Sequence, residues 1–145
     1  MTLLSVEDLV VSYGAIHALH GISLEVEEGE MLTLLGANGA GKSTTLWTIV
    51  GQIRELGGRV VSGRIRYRGE DLLGVGASQI VRRFGIALVP EGRRIFGNLT
   101  VLENLKLAAY ARRDTQQVNE DLERVFAIFP RLEGRQSQLA DLLTG

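Results

Sequence analysis

The 145-residue chain contains no cysteine, which rules out a disulfide framework and a thiolate metal site and suits a reducing compartment. It also lacks an excess of charge: 16 Lys/Arg against 17 Asp/Glu leave a formal net charge of −1. That balance gives no electrostatic basis for non-specific nucleic-acid binding, which calls for a clearly basic domain, and no nucleic-acid partner is expected. No apolar run approaches the roughly 20 residues needed to span a bilayer. No charged-then-apolar leader opens the chain, because Glu7 and Asp8 interrupt the first apolar stretch. Any membrane role is expected to be borrowed from a partner. What is present, 45% hydrophobic and 23% charged residues, fits an ordinary globular protein long enough to bury a core.

Glycine is plentiful, 18 residues against two prolines, and many glycines sit at the ends of apolar stretches, as in a chain of short elements joined by tight turns. Residues 3–13 read as a strand broken at Gly14. Residues 17–26 read as a second, with Ile22, Leu24 and Val26 on one face and Ser23, Glu25 and Glu27 on the other. His17 and His20, three apart on that strand, are expected on opposite faces, which argues against a metal pair. Residues 31–35 and 86–89 are short, almost wholly apolar runs of the kind found in strands covered on both faces. Residues 54–61 read as a surface connection, 63–67 as a strand and 78–84 as a helix. Thr100 and Glu103 form a capping box opening a helix expected to reach about Arg112. Val118, Leu122, Val125, Phe126 and Phe129 form the apolar stripe of another helix, ended by Pro130. Trp47 reads as a core residue.

Gly36-Ala37-Asn38-Gly39-Ala40-Gly41-Lys42-Ser43-Thr44 matches G-x-x-x-x-G-K-[S/T], between an apolar run and a helical stretch. Small residues let successive backbone N–H groups turn inward around an anion. A helix starting near Lys42 adds its positive end to the same place. Lys42 would supply a mobile charge for the β- and γ-phosphates of ATP, and the Ser43 hydroxyl would ligate Mg²⁺.

The flanking words narrow the choice among phosphate-loop proteins. Val10-Val11-Ser12-Tyr13-Gly14, Ala18-Leu19-His20-Gly21-Ile22-Ser23-Leu24 and Gly29-Glu30-Met31 resemble the opening of ABC ATPases. Leu88-Val89-Pro90-Glu91-Gly92-Arg93-Arg94-Ile95-Phe96 falls where that family has its Q-loop, and Leu99-Thr100-Val101-Leu102-Glu103-Asn104-Leu105 opens a helical subdomain. With Phe129-Pro130-Arg131-Leu132, the chain is most similar to the LivF-type ATPases of branched-chain amino acid importers; urea and amide importers are the near alternatives. The resemblance implies an α/β, P-loop NTPase fold of ABC type. Its mixed sheet would combine an N-terminal antiparallel β subdomain with an incomplete RecA-like core over residues 1–95, followed by a helical subdomain over 96–145.

It also implies that Tyr13 stacks on adenine and that residues 36 and 38–44 hold the phosphates. Glu91 stands where most of the family has glutamine; as a hard oxygen donor it would meet Mg²⁺ and the attacking water. Arg93, Arg94 and Phe96 would touch a short helix of a membrane-spanning subunit. The implied partners are a second ATPase subunit and the permease, at the cytoplasmic face of the plasma membrane. Leu143-Thr144-Gly145 resembles the start of the family's signature motif, so the remaining catalytic parts would lie beyond it. The chain alone is then expected to be inactive and marginally stable, with strands 31–35 and 86–89 lacking their neighbours. Two other readings are an ATP-binding module without hydrolysis and a small phosphoryl-transfer kinase. The kinase would need acceptor-binding arginines in a lid where a helical subdomain is expected.

Overall fold

The computed structural model describes residues 1–92, 94–110 and 112–143. Two compact units divide the chain, Met1–Val89 and Pro90–Gly145.

The first unit is built on an antiparallel sheet in the order β2-β1-β3-β4. Its strands are β1 (Thr2–Tyr13), β2 (Ile16–Glu27), β3 (Gly58–Tyr67) and the short β4 (Glu70–Asp71). β1 and β2 join through a tight hairpin in which Tyr13 pairs with Ile16 and Gly14 takes φ 57°. One face of the sheet carries the core: Val6, Leu9, Val11, Leu19 and Ile65, joined by Ile49, Ile53 and Leu72. The expected alternation on β2 is present, with Ile22, Leu24 and Val26 half-buried and Ser23, Glu25 and Glu27 exposed.

Bulges bend this sheet. Asp8, at φ 45°, is an extra residue on β1, and the Ser23 hydroxyl accepts its N–H at 2.9 Å. Opposite it, Gly63 (φ 106°) leaves no room for a side chain, since an ideal Cβ would sit 2.6 Å from the Leu9 Cα. On β2, Val11 pairs with Leu19 and Ser12 with His17, so Ala18 is also an extra residue. That bulge overturns one expectation. His17 and His20 share a face, their ring centroids 5.9 Å apart, because an inserted residue cancels the usual alternation. Among the described residues, no third His, Cys, Asp or Glu joins them in a metal-binding group.

α1 (Lys42–Ile49) follows the glycine-rich loop. Ile49 and Val50 are buried, whereas Trp47 is only half-buried and Leu46 is exposed, so Trp47 lies at the margin of the core. The strand expected at 63–67 begins earlier: residues 58–61 belong to β3, because Gly58, Arg59 and Val60 pair with Tyr13, Ser12 and Val11. A short α2 (Ala77–Gln79) runs into a π-helical turn (Ile80–Phe84), in the place expected for a helix.

The apolar runs 31–35 and 86–89 are not strands. Met31, Leu35 and Val89 are about nine-tenths exposed. Strands form only where a neighbour takes up their backbone N–H and C=O groups, and no described segment pairs with either run. The parallel pairing that would make the sheet mixed is therefore absent among the described residues.

The second unit contains α3 (Val101–Ala108), α4 (Thr115–Ile128), α5 (Pro130–Glu133) and a 3₁₀ turn (Ala140–Leu142). The capping box is formed as expected: Thr100 Oγ1 accepts from the Glu103 N–H at 3.2 Å, and Glu103 Oε2 accepts from the Thr100 N–H at 2.8 Å. α3 stops at Ala108, short of Arg112, whose guanidinium instead turns to Asp114 and, at 2.6 Å, to Asp121 on α4. The stripe of α4 is half-buried at Val118, Leu122, Val125 and Phe126, while Phe129 is exposed. Pro130 both follows the end of α4 and starts α5, at a position where its missing N–H costs nothing.

Candidate phosphate site

The glycine-rich loop acquires its shape from local bonds and from what its glycines leave out. Ala40 N–H donates to the Ala37 carbonyl at 3.1 Å, closing a turn. Gly39 (φ 85°) and Gly41 (φ 94°) occupy the left-handed region that other residues avoid. Gly41 is the N-cap of α1 and lies against β2, where an ideal Cβ would stand 2.4 Å from Leu19 Cδ2 and 3.0 Å from the Ala18 carbonyl oxygen. Leu19 is fully buried, so the loop is seated on the rigid part of the sheet.

Above that seat the donors gather. The N–H groups of Gly39, Gly41, Lys42, Ser43 and Thr44 find no acceptor among the described residues. The first amides of a helix lack intrahelical partners, and its dipole leaves positive charge there. Lys42 curls back over the loop, donating from Nζ to the carbonyls of Gly36 at 2.6 Å and Ala37 at 2.8 Å. Its ammonium thus stands at the loop that the free amides serve. The Ser43 side chain is exposed and available, whereas Thr44 is buried. The Thr45 and Thr48 hydroxyls donate to the Gly41 and Thr44 carbonyls at 2.9 and 2.7 Å, tying down the first turns of α1. Of the expected site residues, Gly36, Asn38, Gly39, Ala40, Gly41, Lys42, Ser43 and Thr44 lie on this one loop and the first turn of α1.

Tyr13 is placed differently. Its ring packs half-buried against the core beside Gly58, and its hydroxyl is buried with no hydrogen-bond partner among the described residues. The cavity of about 180 Å³ beside the loop is lined by Leu19, Leu34, Leu35, Ala40, Gly41 and Lys42 among others, and not by Tyr13. Glu91, Arg94 and Phe96 belong to the second unit and are exposed; Arg93 and Thr144-Gly145 lie outside the described residues.

Reading the sequence missed the Leu19 seat and the role of Asn104, which bonds four times to residues 96–100. The signal for Asn104 was there: an asparagine inside a helix is disfavoured because its amide competes for backbone groups.

A glycine-rich loop thus leads a helix and is seated on an antiparallel sheet, and a capped helical unit follows it in sequence. The chain belongs to the ABC transporter family, whose model matches residues 19–141. It is 46% identical over 144 residues to the high-affinity branched-chain amino acid transport ATP-binding protein BraG of Pseudomonas aeruginosa. It is 35% identical over 131 residues to the lipopolysaccharide export system ATP-binding protein LptB of Haemophilus influenzae. These alignments cover 99% and 89% of this chain but 58% and 52% of the relatives, so the chain spans little more than half their length. The solved structure of an ATP-binding cassette of an ABC transporter, 25% identical, matches with a TM-score of 0.80 over all of this chain and 60% of its own. The fold is that of part of an ABC ATPase domain. No helix of the described residues is long and apolar enough to cross a membrane.

Proposed function

We propose that this chain is part of the ATP-binding subunit of an ABC importer for branched-chain amino acids, one that couples ATP binding and hydrolysis to transport. The observation that carries the reading is the set of free amides at residues 39 and 41–44 beside the Lys42 ammonium. Such a set favours a polyphosphate over a single small anion, because several donors and a mobile cation are spread along one loop. The high identity to BraG supports the substrate class.

In this reading the Gly36, Asn38, Gly39, Ala40, Gly41, Ser43 and Thr44 backbone wraps the β-phosphate. Lys42 leaves the Gly36 and Ala37 carbonyls to bridge β- and γ-phosphates, and Tyr13 stacks on the base. Ser43, exposed at the start of α1, and Glu91 are the oxygen donors suited to Mg²⁺, which would neutralise charge on the β- and γ-oxygens. Residues 1–95 act as the β subdomain and phosphate-loop core, and 96–145 as the helical subdomain. The subunit pairs with a second ATPase subunit and docks on membrane-spanning subunits through Arg93, Arg94 and Phe96. It works at the cytoplasmic face of the membrane.

Calorimetric titration of the intact subunit with Mg-ATP should give saturable binding, and the absence of nucleotide-linked heat would remove the ATPase reading. Uptake of labelled leucine by cells lacking the gene should fall; unchanged uptake would remove the substrate assignment alone.

A further inference from the structure

The bulge at Ala18 does more than shift a register: it sets two imidazoles side by side. The ring centroids of His17 and His20 are 5.9 Å apart, with the ring planes tilted by 39°. That tilt is neither the offset stack nor the edge-to-face contact that aromatic pairs prefer, so ring attraction alone does not account for it. The separation suits another use. Two imidazoles sharing one ion, each through a metal–nitrogen bond of about 2.0–2.1 Å, have centroids no more than about 6.5 Å apart, so one ion can reach both.

A second observation lies on the neighbouring strand. Ser12 pairs with His17, and Val10 with His20. Directly opposed residues of two strands carry their side chains on one face, which puts the Ser12 hydroxyl on the histidine side of the sheet. Ser12 is only 3% exposed, and its Oγ has no hydrogen-bond partner among the described residues. A buried hydroxyl without a partner weakens a fold and calls for a group the chain itself does not supply. A water held on an ion between the rings would be that group. Arg59 pairs with Ser12 from β3, on the far side of β1 from the histidines. Its charge disfavours a bare cation, so holding an ion here depends on metal–nitrogen bonds rather than on electrostatic attraction.

We infer that His17 and His20 are the protein ligands of a divalent transition-metal ion of the Zn²⁺ class, with Ser12 hydrogen-bonded to a water on that ion. Neutral imidazole nitrogens suit Zn²⁺, Ni²⁺ and Cu²⁺, whereas Mg²⁺ demands oxygen donors, so the site is chemically separate from any Mg²⁺ that accompanies a nucleotide. The ligands flank Ala18, whose carbonyl oxygen stands 3.0 Å from where a Gly41 Cβ would lie. A bound ion therefore clamps the bulge against which the glycine-rich loop rests. The inference does not depend on what that loop binds.

The test titrates the tag-free intact subunit, without nucleotide, by calorimetry with Zn²⁺ alone, with Zn²⁺ in excess Mg²⁺, and with inorganic phosphate. His17→Ala, His20→Ala and Ser12→Ala are compared with the unsubstituted protein. One saturable Zn²⁺ site is expected, indifferent to Mg²⁺. Each histidine variant should lose at least about tenfold in Zn²⁺ affinity, and Ser12→Ala about tenfold. Zn²⁺ should raise the melting temperature of the unsubstituted protein and not that of the histidine variants. The ring signals of His17 and His20 should also shift together in the NMR spectrum on adding Zn²⁺, a readout that needs no variant to fold. Stationary ring signals, or no saturable binding below about 1 mM, would overturn the inference. So would Zn²⁺ affinity undiminished in both histidine variants, or displacement by Mg²⁺. Phosphate binding that the histidine substitutions abolish, without Zn²⁺ binding, would make this an anion site instead. Full Zn²⁺ affinity in Ser12→Ala would remove the hydroxyl's part alone.

Discussion

Gly41 and Leu19 meet with no room between them, the missing Cβ of one falling 2.4 Å from a methyl of the other. Two penalties therefore attend any side chain at residue 41: the φ of 94° and the collision with a buried leucine on β2. Gly41→Ala should destabilise the protein by about 2–6 kcal/mol, the sum of left-handed strain and overpacking. Gly39→Ala, at φ 85° but with nothing within 4 Å, should show only the strain, about 1–3 kcal/mol. Urea denaturation of the two variants checks the ordering; equal losses would mean that the seat on Leu19 is unimportant.

Lys42→Ala removes the only side chain that, among the described residues, bonds the Gly36 and Ala37 carbonyls, together with its ammonium at the loop. Mg-ATP affinity should fall by at least about tenfold, since one charge-assisted hydrogen bond contributes roughly 1.5–3 kcal/mol. Calorimetry on the intact subunit measures this, and wild-type affinity would place the phosphates elsewhere.

Tyr13 gives a pair of opposed outcomes. Its phenol oxygen is buried without a partner among the described residues, so Tyr13→Phe removes an unsatisfied polar group and should raise stability by about 1 kcal/mol. The ring survives in that variant, so nucleotide affinity should hold. Tyr13→Ala should weaken ATP by roughly 1–3 kcal/mol if the ring stacks on the base. Denaturation midpoints and ATP titrations separate the two effects, and a Tyr13→Ala protein that folds and binds normally would end the stacking proposal.

Glu103 makes the start of α3 sensitive to acid. The Thr100 backbone N–H, and secondarily its hydroxyl, hold the carboxyl below its ordinary value of 4.5. A folded value below the unfolded one means that the stabilisation is present above about pH 4.5 and lost as the pH falls through the folded value. Hydrogen exchange at the Thr100 amide should quicken over that acid range, and Glu103→Gln should flatten the response. An acid response identical in the variant would assign it to another group.

The features legible in the sequence were those whose physics is local. The tight glycine loop leading into α1 follows from glycines at fixed spacing, the capping box from Thr100 and Glu103, and the face of β2 from strict alternation at 22–27. What escaped depended on partners far away in sequence or on a single inserted residue. Ala18 turns His17 and His20 onto one face, an effect no count of spacing reveals. The runs 31–35 and 86–89 have the composition of core strands, but composition cannot supply the neighbour that would pair with them.

The start of α3 and the stretch from 136 to 141 are laced together: Val101 N–H bonds the Gln138 carbonyl, Leu102 N–H that of Gln136, and Thr100 bridges Leu139. Since the Phe96 loop is fastened to the same helix start, a push on that ring has no slack to vanish into. It should travel as one rigid movement to the turn at Ala140–Leu142, so amide exchange at Ala140 and Phe96 should rise and fall in step.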